Sequence, residues 1–297
     1  MLDQPLTSNG FTVSPEHVGW LVPTNPDQPR AALWEQYQAQ GYLWLQGLLD
    51  RDAVLAFRRR VFTAFVDTGL LMPHTDPIDG IFSGETAHTQ VHPNKVLMEV
   101  VRWASFEAFC LAQPIIDFYE SFLEGAVYLH KRKILRYTRC QESNSTGPHY
   151  DLVYLRGGTD RICTSWIPIG DVPVEMGGLA YLEHSHIHGR AMEADFRQRS
   201  TDLPAEERIS AYNKHMSSSG WLDRNLDALA TKFNSRWLVA DYQCGDMVVH
   251  GPYTIHAATS NVDSGGRIRL SADIRYQLVG DEIDVRWNNH WSLDDML

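Results

Sequence analysis

Apolar residues recur at helical spacing in two early stretches. Residues 30–40 predict one helix and 52–66 a second, in which Val54, Leu55, Val61, Phe62 and Phe65 are the apolar positions. Between them Tyr42-Leu43-Trp44-Leu45 is a short apolar run of strand length. A further helix is predicted over 105–122, with Pro114 a break or kink, because proline removes a helix hydrogen bond and crowds the preceding turn. From Tyr128 onward strands dominate: 128–137, an extended segment through His149, 162–169, 179–182 and a polar-faced strand over 267–276. Helical spacing returns near 204–214. Residues 1–28 form a polar, proline-containing arm. Residues 69–95, punctuated by Pro73, Pro77, Gly80, Gly84 and Pro93, have no period and predict a loop over the mouth of a barrel. The charged, serine-rich span 190–234 reads as an insertion between strands. The pattern is mainly β with flanking helices, a single domain over 1–297, with no internal repeat or low-complexity run.

Composition narrows the function. A 297-residue chain that is 43% hydrophobic is long enough to bury a substantial core. Its formal net charge of −11 argues against nonspecific binding to nucleic acid or an anionic membrane, since both would repel it. An anionic ligand would therefore need a local positive group, which Arg267, Arg269 and Lys133 can supply. Cys110, Cys140, Cys163 and Cys244 show neither CxxC pairing nor framework spacing, and the first residues are not a cleavable apolar leader. No apolar run is long enough to span a bilayer, and the carboxyl end is not a Ser-Lys-Leu address. The simplest reading is a cytoplasmic protein with reduced thiols.

The candidate chemistry starts at His149-Tyr150-Asp151, answered by His256 at the end of an apolar run from Met247. On a strand, residues i and i+2 share a face, so His149 and Asp151 can reach one metal while Tyr150 turns away. Two imidazoles and one carboxylate make the facial ligand set that leaves three positions of Fe(II) open. An isolated HxD is most often a solvated loop pair, so the context decides. After His256 comes a turn at 263–266 and then Arg269-Leu270-Ser271 on an alternating strand. Guanidinium and hydroxyl on one face suit a bound dicarboxylate. Arg267 has the same parity and competes with Arg269. His184, His186 and His188 also alternate, but no acidic ligand follows them, and a structural or substrate-facing role is the better reading.

These motifs, together with Gly177-Gly178-Leu179-Ala180-Tyr181-Leu182 and the Gly245-Asp246 turn, resemble the phytanoyl-CoA dioxygenase family over most of the chain, from Gln40 to Tyr276. The resemblance implies a double-stranded β-helix, a cupin-like jelly roll with the metal at one open end. It implies Fe(II) on His149, Asp151 and His256, with 2-oxoglutarate bound through Arg269 and Ser271. Trp166 falls where the family has a tryptophan near the cosubstrate. The implied reaction uses O2 and 2-oxoglutarate to oxidise a substrate carbon, most simply by hydroxylation, releasing succinate. Because Asp151 is present, the resemblance implies oxygen transfer and not halogenation. Desaturation or cyclisation, and a cupin-like metalloenzyme that does not use 2-oxoglutarate, are the alternatives. Phe82, Tyr137 and Trp221 are the candidate substrate walls, and the abundance of aromatic residues leans toward a fairly apolar small molecule such as a natural-product intermediate.

Overall fold

The computed structural model describes residue 2 and residues 4–84, 91–140, 142, 144–216 and 220–295. Residues 85–90 of the expected mouth loop and 217–219 of the expected insertion lie outside the described residues. In chain order the strands are β1 (Thr7–Ser8), β2 (Phe11–Thr12), β3 (Val18–Trp20), β4 (Pro23–Thr24), β5 (Tyr42–Leu45), β6 (Val127–Leu129), β7 (Ile134–Thr138), β8 (Cys163–Pro168), β9 (Leu179–Leu182), β10 (Trp237–Val239), β11 (Met247–His250), β12 (His256–Ala258) and β13 (Arg269–Leu278). The α-helices are α1 (Arg30–Gln40), α2 (Arg51–Phe65), α3 (Pro93–Val100), α4 (Ala104–Cys110), α5 (Gln113–Leu123), α6 (Leu152–Leu155), α7 (Ser185–Arg199), α8 (Ala205–Ile209) and α9 (Leu226–Phe233).

A larger sheet runs β4-β5-β11-β8-β13-β6, with β7 also paired to β13, and a smaller one runs β12-β9-β10-β3. Two apolar cores follow from this arrangement. Leu43, Leu45, Ile167 and Val249 face outward from the larger sheet, in the same core as Phe62 and Phe65 of α2 and Phe118 and Phe122 of α5. Tyr42, Trp44, Trp166 and Val248 face inward and meet Tyr181 and Tyr242 between the sheets. This is why Tyr42–Leu45 is apolar at every position: the strand is covered on both faces. Each such side chain contributes roughly 1.5–3 kcal/mol of burial. The result is the expected jelly-roll core with flanking helices.

Several local readings change. The arm is not separate from the barrel: β3 pairs in parallel with β10, and β4 with β5, so short segments of it act as edge strands. The single helix over 105–122 is two, and Pro114 sits in the first turn of α5, where its missing N–H costs nothing. The strand over 128–137 is likewise two, β6 and β7. The periodless 69–95 stretch runs into α3, for which His92 is the N-cap, its ring accepting from the Asn94 backbone N–H at 3.1 Å. The alternating histidines lie at and beyond the start of helix α7, not on a strand. The extended HxD segment is also corrected: Asp151 has helical dihedrals and opens α6.

Candidate active site

His149 and His256 form an isolated antiparallel bridge, exchanging backbone hydrogen bonds of 3.1 and 3.0 Å. This places the rings side by side, with centroids 4.4 Å apart. The chain then turns into α6, which swings the Asp151 carboxylate back toward them instead of relying on strand alternation. Asp151 Oδ1 lies 3.5 Å from His149 Nε2 and 3.6 Å from His256 Nε2. All three residues are buried. The Nδ1 atoms face the carbonyls of Gly147 at 2.8 Å and Thr254 at 3.0 Å, so each Nδ1 carries the proton and each Nε2 keeps its lone pair. Burial, and then the neighbouring His250 and His149, push His256 well below the usual histidine range, so the imidazole is neutral. Burial alone would raise Asp151, but Arg275 and the surrounding hydrogen bonds hold it well below the usual carboxylate range. A neutral imidazole and an ionised carboxylate are the forms that bind a metal. Among the described residues these three form the only metal-competent cluster, with ligand atoms within 4.8 Å of one another.

Sequence reasoning missed what holds Asp151. Strand register aligns His250 of β11, Thr164 of β8 and Arg275 of β13 in one row across the larger sheet, so their side chains share the inner face. Asp151 Oδ2 accepts from Thr164 Oγ1 and, at 3.0 Å, from Arg275 Nη2, while His250 Nε2 stands 3.6 Å away. The signal was parity: Thr164 precedes Trp166 by two, and Arg275 follows Arg269 by six.

The same face of β13 carries Arg269 and Ser271. Arg269 is buried, donating from Nη1 to the Gly177 carbonyl and from Nη2 to Thr138 Oγ1 at 2.7 Å. Gly177 has φ of 74°, and a Cβ there would meet the Thr259 carbonyl at 2.5 Å, so only glycine lets this turn approach. Burial lowers Arg269 to about 10, still cationic at neutral pH. Its Nε and Ser271 Oγ are buried without partners. A cavity of about 200 Å³ opens beside Arg269, walled in part by Thr138, Thr146, Ala258 and Thr259. Trp166 lies on the inner face of β8, packed on Tyr242 at 4.6 Å. Arg267 instead is 41% exposed and paired with Asp263. Lys133 does not join the group: it pairs with Glu107 of α4 at 3.0 Å, away from Arg269. It precedes β7, whose Ile134, Arg136 and Thr138 pair with inward-facing residues of β13.

A second cavity of about 540 Å³ touches His149 and Arg275 and shares Arg136, Thr146, Trp291 and Leu293 with the first. Trp221 lines it, pinned by the Leu222 N–H donating to the Pro148 carbonyl at 2.8 Å. Tyr137 lines the smaller cavity and donates to Asn94 Oδ1 at 2.9 Å. Phe82 lies under Arg139, 5.4 Å from the guanidinium, and lines neither cavity. Trp287 and Trp291, beyond the last recognised strand, also face the larger cavity. The alternating histidines serve packing: His184 and His186 reach the carbonyls of Ala39 and Gln38, each at 3.1 Å, and His188 stacks near Phe233.

The donor set fits Fe(II), because Asp151 Oδ1 is a buried anionic oxygen with no hydrogen-bond partner, facing two imidazole lone pairs. The jelly roll with this centre defines a non-haem iron, 2-oxoglutarate-dependent oxygenase. Bound iron and cosubstrate supply oxidation of a substrate carbon by O2, coupled to decarboxylation of 2-oxoglutarate to succinate. The chain belongs to the phytanoyl-CoA dioxygenase (PhyH) family, whose sequence profile matches residues 37–269. It is 22% identical over 254 residues to the 1-deoxypentalenic acid 11-beta-hydroxylase of Streptomyces exfoliatus, covering 84% of this chain and 81% of that one. In fold it is similar to the epimerase SnoN in complex with Fe3+, alpha ketoglutarate and nogalamycin RO (TM-score 0.56, 17% identity, 90% and 93% of the two chains). It is also similar to EctD from S. alaskensis with 2-oxoglutarate and 5-hydroxyectoine (TM-score 0.54, 15% identity, 90% and 81%).

Proposed function

We propose that His149, Asp151 and His256 hold the iron, and that Arg269, which lines the smaller cavity, and Ser271 bind the distal carboxylate of 2-oxoglutarate, with Trp166 in the aromatic core behind, lining neither cavity. The enzyme then hydroxylates an unactivated carbon of a small natural-product intermediate with an apolar body, seated in the larger cavity with Trp221 as one wall. The observation that carries this reading is a set of buried polar atoms without partners, Asp151 Oδ1, Arg269 Nε and Ser271 Oγ. Unpaired buried groups of this kind cost free energy unless a ligand satisfies them. The hydroxylase relative supports the reaction. Arg275 and Thr164 orient the carboxylate ligand, and the aromatic wall excludes water from the reacting carbon. The chain acts as one domain over 1–297. Its cysteines are unpaired thiols, and no described helix is long and apolar enough to cross a membrane, which supports a cytoplasmic setting. The test is anaerobic titration of Fe(II) enzyme with 2-oxoglutarate, followed by a substrate screen scored by succinate. A visible charge-transfer band and substrate-dependent succinate are expected; absence of the band would overturn the cosubstrate assignment.

A further inference from the structure

The larger cavity is basic in an acidic protein. Arg132, Arg136, Arg224 and Arg275 line it against one carboxylate, Asp295, although the whole chain carries −11. Three of these guanidinium groups are committed. Arg132 is paired with Asp295, Arg136 with Asp273 at 3.1 Å, and Arg275 with Asp151 at 3.0 Å. The fourth differs. The Arg224 backbone is fixed, because Asp223 Oδ1 accepts from its N–H at 2.6 Å and from that of Asn225 at 2.9 Å. Asn225 in turn caps α9. Its side chain is exposed and has no hydrogen bond or ion pair among the described residues.

Around this free cation the walls are aromatic: Trp221, Trp287, Trp291, Tyr154 and Tyr212. An aromatic wall with one uncommitted guanidinium matches a ligand that has an apolar ring body and a single anionic group. A guanidinium fork suits a carboxylate, whose two oxygens it can meet with parallel N–H donors. We infer that the substrate is an organic acid, and that Arg224 receives its carboxylate while the tryptophans hold the ring body and direct it toward His149. Arg224 is thus a specificity-determining residue that contacts substrate remote from the reacting carbon. The inference rests on the oxygenase reading above and names the substrate class for that site.

The test uses the anaerobic Fe(II)·2-oxoglutarate complex with two matched probes, adamantane-1-carboxylate and adamantane-1-carboxamide, by calorimetry and saturation-transfer NMR. The visible charge-transfer band is followed throughout. The wild type should bind the carboxylate about tenfold or more tightly than the amide, with the preference shrinking as salt is raised and the band retained. Arg224→Ala and the size-matched Arg224→Gln should bring the two probes level with the band unchanged. Equal binding of the probes by the wild type overturns the inference, as does a preference that survives both substitutions. So does an absence of carboxylate binding up to millimolar concentration, or binding that abolishes the band, which would place the acid in the cosubstrate site. A band that never forms would instead count against the oxygenase reading itself.

Discussion

The two cavities that meet at Arg136, Thr146, Trp291 and Leu293 are built from different material. The smaller one draws more of its wall from strands, β7, β12 and β13, and its key cation, Arg269, is buried and tied to two partners. The larger one takes much of its wall from the 220–224 segment and from the residues after β13, and its uncommitted cation is exposed. The strand-built end is suited to a cosubstrate that never changes. The loop-built end can be altered without disturbing the sheet, which is how one frame accepts different substrates.

The sharpest break in that comparison is at the shared centre. His149→Ala or His256→Ala should leave the far-ultraviolet circular dichroism unchanged while bound iron and succinate release fall to background, since two remaining ligands hold a labile divalent ion poorly. Full turnover by a metal-checked His256→Ala protein would sink the assignment.

Next comes the strand-built end alone. Arg269→Ala should raise the 2-oxoglutarate requirement roughly thirtyfold to a thousandfold, matching about 2–4 kcal/mol for a lost two-pronged carboxylate contact, with the substrate requirement nearly unchanged. Arg267→Ala should shift neither by more than about twofold, because its charge is exposed and already paired with Asp263. The reverse result in steady-state kinetics would exchange the roles of the two arginines.

The loop-built end should respond more mildly. A Cβ at Gly147 would come within 2.5 Å of the Trp221 ring, so Gly147→Ala must push that wall outward. A several-fold rise in substrate KM with an unchanged 2-oxoglutarate requirement is expected; equal effects on both would mean the two cavities are not independent. Smallest in its effect on either requirement, Asp295→Ala strips the buried Arg132 guanidinium of its paired carboxylate and should instead lower stability by about 3 kcal/mol, read as a fall in Tm.

The same contrast explains what could be read from the chain. Strand β9 and helix α1 fall where apolar spacing puts them, and His149, Asp151 and His256 do converge. Residues Thr164, His250 and Arg275 were harder to see, because their meaning depends on the register of three strands distant in sequence. Trp287 and Trp291 lie in a tail without regular strands, where no period marks an inward face. Lys133 had the right charge in the right strand region, but one residue of offset sends it to the outer face.

The row that grips one oxygen of Asp151 would also limit how that carboxylate can hold the proposed iron. With Oδ2 occupied by Thr164 and Arg275, the carboxylate has only Oδ1 left to give. A chelating aspartate would take a coordination position that 2-oxoglutarate and O2 require. By restraining one acceptor from behind, the sheet would leave Asp151 a single oxygen for an iron held as proposed, and so leave room for ligands that come and go.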